Sequence, residues 1–222
     1  MDFSGPQPAD FDNVQSLNRA FLLCLRETSC GRRMRQVFAP AVRLIIKGMS
    51  DLHVERLAAT PFLLLSLRER DDDYWHDLSN TDGQDDLFLV RDTDAERGRL
   101  ASAALAFLWQ LARRNPYATR LVSGATLHWC EQLSDYTLLH LLQVTSRCED
   151  LLLPRLANNP EFWDKLLGPG LSSELDVRRA AQLTALQSML TEDPARRYQP
   201  TKEAACSTSI PSLRVAERND RA

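Results

Sequence analysis

Apolar residues recur at helical spacing along most of the chain. Val14, Leu17, Phe21, Leu22 and Leu25 form one stripe, which predicts a helix from a cap at Asp10 or Asp12 to about Thr28. Gly31 ends it, and Pro40 separates two short helices expected over Arg33–Phe38 and Ala41–Met49. Ser50 caps a helix over Asp51–Thr60 whose first-turn acid suits the helix dipole. Pro61 then opens the apolar run Phe62-Leu63-Leu64-Leu65, whose spacing does not separate helix from strand. Helix is the expectation there, because no partner strand is evident. Asp71-Asp72-Asp73 ahead of Tyr74, Trp75 and Leu78 marks a further helix start.

Residues 79–92 are polar and contain Asp82-Gly83, a turn pair, so they read as a linker. Leu100, Ala104, Phe107, Leu108 and Leu111 predict a long helix from about Thr93 to Asn115. Pro116 stops it and starts a short one ending near Gly124. Two more are expected over 125–132 and 135–145, the second capped by Ser134. Asn159-Pro160-Glu161 is a strong start signal, and Gly168-Pro169-Gly170 an equally strong stop. Ser172 or Ser173 caps a last amphipathic helix over 172–192. Residues 1–9 are expected to be flexible, and residues 193–222, almost devoid of apolar positions, disordered. No segment alternates as a strand does. The fold class is all-α.

The helices repeat. Arg19-Ala20-Phe21-Leu22-Leu23-Cys24-Leu25 is echoed by Leu105-Ala106-Phe107-Leu108-Trp109-Gln110-Leu111, and Ser50-Asp51 by Ser134-Asp135. Tyr74-Trp75-His76-Asp77-Leu78 is echoed by Phe162-Trp163-Asp164-Lys165-Leu166. The offset runs from 86 to 84 to 88 residues. That is too long for a stacked solenoid unit and predicts two related helical modules, 10–78 and 93–171, followed by the unpaired helix at 172–192.

Composition narrows the function classes. The 222 residues are 44% hydrophobic and 26% charged, as in an ordinary globular chain. A net charge of −3 supplies no bulk field for nucleic acid, so direct nucleic-acid binding is not expected. The first residues lack a basic and apolar leader, and no apolar run approaches a membrane span, so neither secretion nor membrane insertion is expected. The five cysteines are scattered without a Cys-x-x-Cys pair; Cys24 and Cys130, in apolar stretches, read as core residues in a reducing cytoplasm, the alternative being an intermolecular disulfide at an exposed cysteine.

Catalytic, metal and cofactor chemistry finds no constellation. His53, His76, His128 and His140 arrive without a nucleophile at motif spacing. His128 and Cys130 are two residues apart and diverge on a helix. The triple acid at 71–73 lacks the alternation and glycine of a calcium loop. Arg32, Arg33, Arg35, Arg43 and Lys47 form one basic cluster, read either as a solvated face or as a contact for an acidic patch or a nucleic-acid backbone. Trp75 and Trp163 occupy matched places, so they are read either as paired interface hot spots or as anchors of each module's last helix. The candidate interface is therefore Trp75, Trp163, Arg32, Arg33 and Arg35, with other proteins as the expected partners.

Two resemblances add to this. Leu17-Asn18-Arg19-Ala20-Phe21-Leu22-Leu23, with Leu57-Ala58-Ala59-Thr60 and Leu63-Leu64-Leu65-Ser66-Leu67-Arg68, resembles FlhD-like flagellar regulator subunits. That likeness implies a helical dimerising module acting with a DNA-binding partner. Arg155-Leu156-Ala157-Asn158-Asn159-Pro160-Glu161-Phe162-Trp163 is similar to NolU-type nodulation proteins. That likeness implies a cytoplasmic accessory role beside a type III secretion apparatus of a plant-associated bacterium. The leading expectation is a non-enzymatic interaction component of such an apparatus, and the alternative an FlhD-like transcriptional co-regulator.

Overall fold

The computed structural model describes residues 5–27, 32, 34–80, 95–147 and 150–191. It is mostly helical, with one two-stranded ladder, and the all-α class holds. Of the linker expected at 79–92, Ser79 and Asn80 end a helix instead, and 81–92 lie outside the described residues, as do the tail at 193–222 and Arg33.

The first half contains α1 (Pro8–Glu27), α2 (Pro40–Lys47), α3 (Asp51–Ala58), β1 (Leu65–Ser66) and α4 (Asp72–Asn80). The second contains α5 (Ala95–Arg114), α6 (Pro116–Ser123), α7 (Leu127–Asp135), α8 (Leu138–Arg147), β2 (Leu153–Pro154) and α9 (Pro160–Leu167). A 3-10 turn at Pro169–Leu171 leads to α10 (Leu175–Thr191). Boundaries follow capping chemistry. The side chains of Ser50, Asn115, Thr126 and Asn159 each accept from a backbone N–H in the first turn of the helix they precede. Gly124 at φ 66° closes α6 in the left-handed region, and an added Cβ would lie 2.7 Å from Met189 Cγ.

Two expectations are corrected. Ser134 and Asp135 lie within α7, and the cap of α8 is Thr137, whose Oγ1 accepts from His140 N at 3.2 Å. Thr137 follows Ser50 by 87 residues, and each cap serves a histidine N–H. Helices α1 and α5 also share an 87-residue offset. At that offset Val14, Phe21, Cys24 and Leu25 match Ala101, Leu108, Leu111 and Ala112, all buried. The offset of 86 read for this helix was one residue short, because Phe21 pairs with Leu108 and not with the half-exposed Phe107.

The second correction concerns residues 61–70, which are not helical. Leu65 pairs with Pro154 and Ser66 with Leu153 in an antiparallel ladder. Each residue's counterpart 88 positions later is its partner's neighbour, so this register places a local two-fold axis through the ladder. The helix expectation failed because the backbone of this buried run finds distant partners. Leu64 N donates to Asn18 Oδ1 at 2.8 Å, Asn18 Nδ2 donates to Phe62 O at 2.8 Å, and Leu63 N donates to Val122 O at 2.9 Å. Every such group in a buried segment must be satisfied, and here α1, α6 and the second half do so.

The core runs through both halves without a break. α1 packs on α3 and α5, and α5 on α6, α7 and α8. α9 leaves its own half to pack on α2, while α10 lies over α9 and the 3-10 turn. Asn18→Ala is expected to strand Leu64 N and Phe62 O in the core and to cost about 2–3 kcal/mol. Chemical denaturation checks it: a shift below ~0.5 kcal/mol would remove Asn18 from this role.

Candidate functional site

The extended segments β1 and β2 pair within the core, and the buried Arg155 and Glu69 meet beside them. Arg155, 3% exposed, donates from Nε to Leu63 O, from Nη1 to Glu69 Oε1 and from Nη2 to Leu65 O, each at 2.6 Å. Its backbone N donates to Leu64 O at 2.9 Å. Glu69, 2% exposed, accepts through its other oxygen from Leu67 N and Ser66 Oγ at 2.7 and 2.8 Å. A buried ion pair is tolerable only when both charges are matched and hydrogen-bonded, and both are here. Neither residue stood out in the sequence, because their only signal was an Arg and a Glu within otherwise apolar or turn-like stretches.

The turn after each strand is the same. Arg68 and Leu156, 88 residues apart, take φ of 56° and 47° without being glycine. Asp71 N then donates to Arg68 O, and Asn159 N to Leu156 O, at 2.9 and 2.8 Å. Asp71 and Asn159 cap the following helices by accepting from Tyr74 N and Phe162 N. The tryptophans complete the turn. Trp75 Nε1 donates to Leu67 O and Trp163 Nε1 to Arg155 O, each eight residues upstream.

Trp75 and Trp163 are thus buried and point inward. Of the two readings, the burial fits that of anchors for each half's last helix: their indoles bind their own turns and the opposite half. Trp75 meets Trp129 of α7 edge-on, with ring centres 5.5 Å apart, and Trp163 meets Phe38 ahead of α2 at 4.9 Å. The bulk is exchanged between matched positions. Phe38 and Val42 form one seat, and Ala125 and Trp129 the other, all four buried. A single large ring faces each tryptophan either way.

Chemistry also differs across the two ends of the crossing. Tyr74 OH donates to Asp150 Oδ1 at 3.1 Å, and Arg68 spans Asp71 and Asp150 while stacking 3.8 Å from the Tyr74 ring centre. Burial would lower the Arg68 pKa, but the Asp71 hydrogen bond and both carboxylates outweigh it and raise the value. At the matched positions Phe162 and Phe62 stand 6.0 Å apart with no charge involved.

The basic cluster is not one surface. Arg32 and Lys47 are exposed, Arg43 is half-buried, and Arg35 is half-buried with its Nη1 enclosed and lacking a hydrogen-bond partner among the described residues. His128 is exposed and Cys130 buried, so they diverge as their spacing requires. Among the described residues no cluster of His, Cys, Asp and Glu could hold a metal, and no helix is long and apolar enough to cross a membrane. Comparison with family models, with curated proteins and with solved structures finds no match to this chain.

Burial pushes the Cys130 thiol up to about 12, reinforced by Glu69. It is therefore a neutral thiol at physiological pH. Since the unfolded thiol ionises near pH 8.5, stability is retained below that pH and falls as pH rises towards 12. In mass-mapped alkylation at pH 8, Cys130 is expected to react only after unfolding; prompt native labelling would contradict its burial. Glu69→Ala is expected to leave Arg155 charged and unpaired and to cost about 3–5 kcal/mol by denaturant melting, whereas Glu69→Ala with Arg155→Met recovers part of the loss. A single-variant loss below ~1 kcal/mol would remove the pair from its structural role.

Proposed function

We propose that this chain is a cytoplasmic protein-interaction component, built from two related helical halves, that serves as an accessory protein of a type III secretion or nodulation-associated apparatus in a plant-associated bacterium. One observation carries the interaction reading: the same strand, left-handed turn, Asx cap and tryptophan occur at an 88-residue spacing and interlock about a local two-fold axis. An arrangement of this kind is what a dimerising module becomes when two copies are joined and each sends its last helix across to the other. The residues that could bear chemistry at the crossing are consumed in holding the halves together. Large apolar side chains, Leu44, Leu52, Leu139 and Leu183 among them, stand exposed on helix faces beside polar and charged ones, which favours binding. The secretion setting rests on the NolU-type resemblance of residues 155–163.

Affinity capture of the tagged full chain from its own cells is expected to recover a secretion-apparatus component, and its deletion to impair secretion. Recovery of none, with secretion intact, overturns the setting. Salt-sensitive retention on DNA, lost on changing Arg32, Arg33 and Arg35 to Gln, would favour the FlhD-like co-regulator instead.

A further inference from the structure

Helices α1 and α5, which pack on one another where the halves join, match at 87 residues from first position to last. The local two-fold axis therefore carries any contact between them onto a second one. One such contact is a clasp. Asp10, almost wholly buried, accepts from Arg114 Nη2 on both oxygens, at 2.6 and 2.5 Å, and from Gln7 N at 2.7 Å. It fastens the start of α1 to the end of α5. The acid is the enclosed partner and the base the exposed one.

The axis carries Asp10 to Arg97 and Arg114 to Glu27. The same two chemistries thus stand at the other end of the helix pair with their polarity exchanged. Burial follows the same order, with Arg97 half-buried and Glu27 exposed. An axis that relates the helices sets Glu27 against Arg97 as it sets Arg114 against Asp10. Yet this end is not fastened in the structure. Glu27 accepts instead from Arg26, its neighbour in the chain, with Nε at 3.0 Å. Arg97 donates from Nη2 to Leu152 O at 2.8 Å, while its Nε is enclosed without a hydrogen-bond partner among the described residues. An enclosed donor on a cation is costly to leave unpaired, and a carboxylate is the acceptor that satisfies it best. Arg26 does not depend on Glu27, because its Nη1 also reaches Asp51 Oδ1 at 2.7 Å and Met49 O at 3.1 Å.

We infer that Glu27 is a latch, exchanging between Arg26, where the structure has it, and Arg97 Nε across the α1–α5 seam. Turning to Arg97 leaves Arg26 with Asp51 and Met49 O, so no charge is stranded by the move. It pairs the enclosed Nε and gives the seam a second clasp, related to Asp10–Arg114 by the axis and opposite in polarity. The seam that joins the halves is then held shut at one end and opened or closed at the other by one exposed side chain. An exposed glutamate changes rotamer rapidly, so both states are sampled without any rearrangement of the core. The latch is independent of the accessory role proposed above and stands or falls separately from it.

Double-mutant cycles by urea denaturation of the full chain test it. Glu27→Gln and Arg97→Gln are expected to couple by about fivefold in the unfolding constant. In an Arg26→Gln background, where Glu27 has lost its other partner, the coupling should rise to about tenfold. Asp10→Asn with Arg114→Gln supplies the reference for a clasp that is formed. The Arg97 Nε–H resonance reads the contact directly. Glu27→Gln should shift that resonance and speed its exchange with water, and Arg26→Gln should slow the exchange. Glu27 is exposed, so its variant is expected to match wild type by circular dichroism, which separates loss of the contact from loss of fold. A coupling below about twofold in both backgrounds overturns the inference, because that is the scatter of uncoupled sites. An Arg97 Nε–H indifferent to Glu27 overturns it as well.

Discussion

Everything else in this structure depends on keeping one charged pair satisfied in the middle of the core. Arg155 and Glu69 come from opposite halves, and each is almost wholly withdrawn from water. An uncompensated charge there would cost several kcal/mol, so the surrounding backbone is organised around it. The arginine gathers the carbonyls of Leu63 and Leu65 with its side chain and that of Leu64 with its backbone, and the glutamate gathers Leu67 N and Ser66 Oγ. These bonds use up the backbone groups that a helix over 61–67 would have paired within itself. The apolar run is held extended, and two extended segments meeting antiparallel give the short ladder.

The crossing then dictates where the outer elements go. Both chains leave the ladder through a left-handed residue, which costs about 1 kcal/mol for a side chain with a Cβ. Such a conformation persists because the tryptophan indole, the Asx cap and the i→i+3 turn bond all hold it. Each turn aims the next helix away from its own half, so Trp75 seats beside Trp129 and Trp163 beside Phe38. The last helix, α10, closes the assembly from outside. Arg70, just beyond β1, donates to the carbonyls of Gly124 and Met189, tying the first half to the end of α6 and to the end of α10. Arg56 of α3 reaches Leu171 O at 2.9 Å and ties the other end.

Helices were legible wherever their stabilisation is local. Asn159-Pro160-Glu161 and Asn115-Pro116 mark starts that caps alone decide, and Gly124 an end that backbone conformation decides. The crossing was not legible, because Phe62 to Leu65 find partners 44 to 92 residues away and no periodicity records that. Ser134 competed with Thr137 as a cap on equal local terms, and only the seating of Leu133 and Leu141 in the core separates them. The matched tryptophans were legible as a pair, and as anchors on one of two readings, but their indole N–H bonds were not, since these depend on a turn formed by non-glycine residues. Nothing in the residues around Glu69 and Arg155 announces an ion pair.

The two halves agree where they face one another and differ where they face outward. At the crossing a polar end, Arg68–Tyr74–Asp150, matches an apolar end, Phe62–Phe162, in the same geometry. Packing therefore specifies volume and direction at these positions and leaves the chemistry open. If two copies of one module were joined, their shared interior would resist drift, because a change on one side must fit its partner across the axis. Their outer faces carry no such coupling and are free to diverge. The divergence from Leu44 and Ile45 to Glu131 and Gln132 reverses polarity at the most exposed positions of matched helices, beside a leucine that stays exposed in both.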